Sequence, residues 1–93
     1  MIIDVEISFS FKRDLPSPRL ALELAPGSDV LQALRYLVER YPELRSRLFD
    51  EGKSVHRHIN ALINGGNVSF RQGFKTTLQE GDRLTILPPV GGG

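Results

Sequence analysis

One change of hydrophobic period, at Pro26-Gly27, constrains the fold more than any other feature of this chain. Before it, Ile3, Val5, Ile7 and Phe9 alternate with Asp4, Glu6, Ser8 and Ser10, and Phe11 keeps the same parity. After Leu15-Pro16-Ser17-Pro18, Leu20, Leu22 and Leu24 alternate with Arg19, Ala21 and Glu23. Period two marks strands with one buried face. The prolines cannot join a central ladder, so they belong to the connection, and the pair reads as an antiparallel hairpin. Beyond Gly27 the period becomes helical: Val30, Leu31, Leu34, Leu37, Val38 and Tyr41 share one face, while Gln32, Arg35, Glu39 and Arg40 share the other. Ser28 offers an N-cap hydroxyl and Asp29 an acid for the first turn. Pro42 ends the helix or starts a short second turn carrying Leu44, Leu48 and Phe49.

The rest of the chain returns to strands. A polar loop, Asp50-Glu51-Gly52-Lys53, precedes His56–Ile63, where Ile59, Ala61 and Ile63 share a parity. Asn64-Gly65-Gly66-Asn67 is a turn signal, since these residues tolerate positive φ. Val68 and Phe70 predict a short strand or extended segment, and Phe74 and Leu78 bracket an irregular or 3₁₀-like stretch. Phe70 and Phe74 are expected in the core, with a surface anchor as the alternative for either. Glu80-Gly81-Asp82 turns the chain into Arg83–Leu87, with Leu84 and Ile86 inward. One helical stripe and one sheet face bury each other in two layers. The expected class is therefore α+β, with a mixed sheet of four to five strands on one main helix. In the β-grasp arrangement the last strand lies beside the first in the middle of the sheet. Residues 1–87 form that domain and 88–93 a flexible C-terminal tail.

Composition excludes several functions. With 93 residues the chain has one core and no deep cleft between lobes. It has no cysteine, hence no thiolate metal site, iron–sulfur cluster or cysteine nucleophile. Twelve basic and eleven acidic residues give a net charge of +1 without a basic block, which argues against a nucleic-acid partner. Lys12-Arg13 and the Arg45/Arg47 pair are small clusters on solvated faces. No apolar run approaches a membrane span, and the N-terminus lacks the pattern of a signal peptide, so a soluble cytoplasmic protein is expected. His56 and His58 make an incomplete metal site without a neighbouring acid, so no metal is expected. Glu80 and Asp82 read as turn formers and not as an acid–base pair.

The tail, Leu87-Pro88-Pro89-Val90-Gly91-Gly92-Gly93, offers a stiff proline lead, a slender glycine neck and a carboxylate. It resembles the ending of the MoaD/ThiS-type ubiquitin-like sulfur carriers, among them the small subunit of molybdopterin synthase, carriers for thiamine and amino-acid biosynthesis, and small archaeal protein modifiers. The stretches His58–Gly65, Glu80–Leu87 and Tyr41-Pro42-Glu43-Leu44 resemble the same family. The third glycine, Gly91, departs mildly from it.

The resemblance implies a β-grasp fold and a carrier that is not itself an enzyme. Gly93 would hold the reacting carboxylate and Gly92 would be its partner in the terminal pair. Pro88, Pro89, Val90 and Gly91 would present them. It implies that a ubiquitin-activator-like adenylating enzyme uses ATP to activate Gly93, and that a sulfur donor converts it to a thiocarboxylate. The sulfur then goes to an acceptor held by a synthase or large subunit, for molybdopterin-type cofactor or amino-acid biosynthesis. No cofactor is expected on this chain. The alternative is a modifier joined through Gly93 to target lysines; a blander alternative is a binding domain whose glycines are inert. Docking is expected on the exposed sheet face near the final strand.

Overall fold

The computed structural model describes residues 1–7, 19–50, 54–55 and 59–87. Five strands form one mixed sheet: β1 (Ile2–Ile7), β2 (Arg19–Glu23), β3 (Asn60–Ile63), β4 (Gly66–Asn67) and β5 (Arg83–Leu87), in the order β2-β1-β5-β3-β4. β1 runs antiparallel to β2 and parallel to β5, and β3 runs antiparallel to both β5 and β4. The first and last strands thus lie side by side, as in the expected β-grasp. Their alternation is a burial pattern: Ile3, Val5 and Ile7 on β1, and Leu84 and Ile86 on β5, are buried, while Asp4 and Arg83 are exposed. The hairpin of β1 and β2 and the inward Leu84 and Ile86 agree with the sequence reading.

The helix α1 (Val30–Arg40) covers the buried face, contributing Val30, Ala33, Leu34, Leu37 and Val38 to the core. Leu31 and Tyr41, expected on that stripe, lie at its margins and are half-buried. The N-cap is Asp29 and not Ser28. Asp29 is extended, its carboxylate accepts from the Gln32 N–H at 2.8 Å, and Gln32 Oε1 accepts from the Asp29 N–H at 2.9 Å. This is a capping box, which satisfies two otherwise orphaned donors together. Ser28 is one residue too early: its hydroxyl donates to the Ala25 carbonyl at 2.7 Å and closes the Pro26-Gly27 turn. A 3₁₀ turn, Pro42–Leu44, then leads into the short α2 (Arg45–Leu48), which buries Leu44 and Leu48 as expected.

Two expectations fail after β4. Residues Val68–Phe70 form a 3₁₀ turn where a short strand or extended segment was expected, because Asn67 Oδ1 accepts from the Ser69 N–H at 2.9 Å and curls the chain. Curling buries Val68 but throws Phe70 outward, where it is 89% exposed and not in the core. Phe74 does pack against the core, from a second 3₁₀ turn, Gly73–Lys75. Thr76, buried there, is satisfied: its hydroxyl donates to the Gly73 carbonyl and accepts from the Gln72 N–H. Among the described residues no helix is long and apolar enough to cross a membrane.

Candidate functional site

The residues singled out from the sequence for chemistry, Pro88, Pro89, Val90, Gly91, Gly92 and Gly93, lie outside the described residues, as do His56 and His58. What the structure establishes is the base from which residues 88–93 continue. That base is β5, flanked by β1 on one side and β3 on the other. Its inward residues, Leu84 and Ile86, are 0% exposed. Ile86 sits beside Ile7 and Ala61, and Leu87 pairs with Asn60 at the end of the ladder. A strand hydrogen-bonded on both edges and packed beneath is among the last parts of a domain to open.

The start of β5 is tied down by polar contacts. Asn64 and Gly65 both take positive φ (52° and 91°) and form a two-residue hairpin turn between β3 and β4, a geometry that Asn-Gly adopts with little strain. The Asn64 side chain then works twice: Nδ2 donates to Asp82 Oδ1 and Oδ1 accepts from the Arg83 N–H, both at 2.9 Å. Asp82 Oδ2 accepts from the Gln79 N–H at 2.8 Å, closing the turn before β5. Glu80 Oε1 accepts from the Ile2 N–H at 2.9 Å, linking that turn to β1. Glu80 and Asp82 are thus turn formers, as the sequence reading had them.

Among the described residues no element covers the sheet face opposite α1. Around β5 it presents Arg83, Thr85 and Leu87, flanked by Asp4 and Glu6 of β1 and by Asn60 and Leu62 of β3. Thr85, Leu87 and Leu62 are half-buried, leaving a modest apolar patch near the end of the strand. At the other end Asp4, Glu6, Asn64, Gly65, Gly81, Arg83 and Thr85 line a shallow hollow of ≈ 490 Å³. The sequence located this face but did not single out Leu62 or Thr85. The signal for them was present in the register: each occupies the parity opposite to the core residues of its own strand. Among the described residues no three His, Cys, Asp or Glu side chains gather to hold a metal. Arg40, on the helix layer, has its pKa raised by a side-chain hydrogen bond to Tyr36, and its guanidinium stands 6.0 Å from that ring. Nothing in that pair reaches β5.

Comparison with known proteins adds a family to this geometry. Residues 9–93 match the ThiS family. The chain is 31% identical to small archaeal modifier protein 3 of Haloferax volcanii over 93 residues, covering 98% of this chain and 100% of that one. It is 34% identical to the sulfur carrier protein CysO of Mycobacterium tuberculosis over 71 residues, covering 74% and 76% of the two chains. The crystal structure of SAMP1 from Haloferax volcanii superimposes with a TM-score of 0.87 at 27% identity, covering 100% of both chains. A CysO crystallised in the Amycolatopsis orientalis BexX/CysO complex gives a TM-score of 0.77 at 30% identity, covering 98% of this chain and 99% of that one.

Proposed function

Because the chain belongs to the ThiS family, we propose that it is a sulfur carrier and not an enzyme, with the carboxylate of Gly93 as its reacting group. The observation that carries this reading is the position of β5. A central strand, bonded on both edges, leads directly into residues 88–93. Such a base fixes the point from which the terminal residues start, so docking of the domain sets where they enter a partner's channel.

A carboxylate is a poor electrophile and needs activation. A ubiquitin-activator-like adenylating enzyme supplies it: a Gly93 carboxylate oxygen attacks the α-phosphate of ATP, and pyrophosphate leaves. Sulfide then attacks the acyl carbon and AMP leaves, so the terminus is a thiocarboxylate; where the donor is a persulfide, the acyl disulfide first formed is cleaved by a second thiol, which forms a disulfide with the donor's own sulfur and frees the thiocarboxylate. The partner provides the charge stabilisation at phosphate, while this chain provides a substrate held at the right depth. Glycine at Gly92 and Gly93 keeps Cβ atoms away from the acyl carbon; Pro88, Pro89, Val90 and Gly91 present it. The thiocarboxylate passes its sulfur to an acceptor held by a synthase or large subunit, in molybdopterin-type cofactor or amino-acid biosynthesis. The open sheet face around Leu62, Thr85 and Leu87 is the docking surface in this reading. ATP is bound by the activating enzyme and no cofactor by this chain, and the work is cytoplasmic.

A second reading, a ubiquitin-like modifier joined through Gly93 to target lysines, is supported by the full-length likeness to small archaeal modifier protein 3. One experiment separates the two. The protein is incubated with its cognate adenylating enzyme, ATP and a sulfur donor, and its intact mass is measured. Replacement of one oxygen by sulfur at Gly93 supports the carrier, and a Gly93–lysine branch on other proteins in cell extract supports the modifier. Neither product, with an activator shown to be competent on another carrier, overturns both. Gly93→Pro is expected to abolish either product without altering the fold.

A further inference from the structure

The chain has three asparagines, and the residues after them differ: Ala61 follows Asn60, Val68 follows Asn67 and Gly65 follows Asn64. An asparagine side chain loses ammonia when the main-chain nitrogen of the next residue attacks its amide carbon. Glycine at that next position has no Cβ to obstruct the approach, whereas alanine and the β-branched valine do. Asn64-Gly65 is therefore the pair at which this chemistry is least hindered. Both residues are exposed, so water reaches them.

The fold holds this pair away from reaction. Ring closure has to bring the Asn64 amide carbon onto the Gly65 nitrogen, and three hydrogen bonds tie Asn64 across the sheet instead. Its N–H donates to the Arg83 carbonyl, its Nδ2 donates to Asp82 Oδ1, and its Oδ1 accepts from the Arg83 N–H, each at 2.9 Å. The main chain is fixed as well, because Ile63 pairs with Gly66 immediately outside the turn. Reaction waits for the turn to open. Opening needs only the hairpin loop and the two-residue β4 to give, and leaves the core closed.

We propose that Asn64 is a modification site at which deamidation, restrained by the closed hairpin turn, sets a carboxylate against Asp82 and unlocks the start of β5. The Gly65 nitrogen gives its proton to solvent base and bonds to Asn64 Cγ. The Cγ–Nδ2 bond breaks, and the nitrogen leaves as ammonia after taking a proton from water. The five-membered imide that remains is opened by water. Attack at Cγ gives aspartate; attack at the Asn64 main-chain carbonyl carbon gives isoaspartate, whose main chain is one carbon longer. The net change consumes water and releases ammonia, with nothing oxidised or reduced.

Either product ends the bond from position 64 to Asp82. Where Nδ2 now donates across 2.9 Å, a carboxylate oxygen would face Asp82 Oδ1, and like charges that close repel. Asp82 Oδ2 also closes the preceding turn by accepting from the Gln79 N–H. Displacing Asp82 therefore loosens the entry to β5 and not the hairpin alone. Isoaspartate adds a second defect, because a longer loop no longer fits the two-residue register of β3 with β4. The reverse reaction needs ammonia and an activated acid, so the change runs one way in water.

The test uses the full chain, incubated at mildly alkaline pH either folded or unfolded in guanidinium chloride at matched ionic strength. Mass spectrometry of its peptides follows each asparagine with time, and enzymatic methylation counts isoaspartate. Conversion is expected at Asn64 ahead of Asn60 and Asn67, and roughly 5- to 30-fold slower in the folded chain, the factor that two exposed side-chain hydrogen bonds place on an opening equilibrium. Asp82→Ala removes one of those bonds and is expected to speed conversion in the folded chain about two- to fivefold without changing the unfolded rate. Far-UV circular dichroism verifies that this variant folds. The deamidated chain, separated by its extra negative charge, is expected to unfold at lower urea concentration than wild type. Asn64→Asp is expected to lower the urea midpoint of the wild-type chain and to lower that of Asp82→Ala much less. Equal folded and unfolded rates, conversion led by Asn60 or Asn67, no acceleration by Asp82→Ala, a deamidated chain as stable as wild type, or an equal effect of Asn64→Asp in both backgrounds overturns the proposal.

Discussion

Replacing Asn64 by alanine isolates the contact that fixes the start of the central strand. Asn64 has φ 52°, and its side chain holds Asp82 and the Arg83 N–H. Alanine loses both hydrogen bonds, at about 0.5–1.5 kcal/mol each, and the lower half of that range applies because both are solvent-exposed. Alanine keeps the Cβ that asparagine already holds in the left-handed region but lacks the polar side chain that makes that region tolerable, which costs about 1 kcal/mol. Together these give about 2–3 kcal/mol, a fall in melting temperature of roughly 10–20 °C for a domain of this size. Asn64→Gly removes the same bonds but has no difficulty with positive φ, so it should be less destabilised than the alanine variant by about 1 kcal/mol. Urea unfolding of the three proteins, with the slope monitored for two-state behaviour, measures both differences. Adding Asp82→Ala completes a double-mutant cycle, and a coupling of about 0.5–1 kcal/mol is expected. An alanine variant within about 0.5 kcal/mol of wild type refutes the hydrogen-bond argument. Equal stability of the glycine and alanine variants refutes the backbone argument.

Other substitutions probe different parts of the fold. Asp29→Ala removes the side-chain half of the capping box, leaving the Asp29 N–H to Gln32 bond, and should cost about 1 kcal/mol by urea unfolding, whereas Asp29→Asn keeps the acceptor and most of the stability. Leu34→Ala, at a position with 0% exposure in the middle of α1, should cost about 3–5 kcal/mol through lost burial and the cavity left behind. Phe70→Ser should change stability by no more than about 0.5 kcal/mol, because the ring is already in solvent; a larger loss in thermal unfolding would show that Phe70 packs.

The elements legible in the sequence were those whose burial repeats. Ile3-Val5-Ile7, Leu84-Ile86 and Leu34-Leu37-Val38 each repeat at one period, and the structure buries them on one face. Val68 and Phe70 mimic a strand because two residues two apart satisfy almost any pattern. What decided that segment was the Asn67 side chain competing for the Ser69 N–H, a contact with no periodicity. Ser28 and Asp29 are both good caps, and the discriminating signal was Gln32, which stands three residues after Asp29 and completes the box. The role of Asn64 was half visible: its turn was expected from the Asn-Gly pair, but its grip on Asp82 and Arg83 joins residues 18 apart and more. The residues expected to carry the chemistry, Gly92 and Gly93, were legible through family likeness alone, since a glycine has no side chain on which packing can write a pattern.

The parallel pairing of β1 with β5 also sets an order of events at the ribosome. The strand in the middle of the sheet is synthesised after the other four. Until Arg83–Leu87 emerges, β1 and β3 lack the neighbour that lies between them, and the hairpin of β1 and β2 has a bare inner edge. Closing that gap joins segments from opposite ends of the chain, which makes it a late and comparatively slow step. Residues 88–93 follow β5 out of the ribosome, so a nascent chain offers them only once its sheet can close.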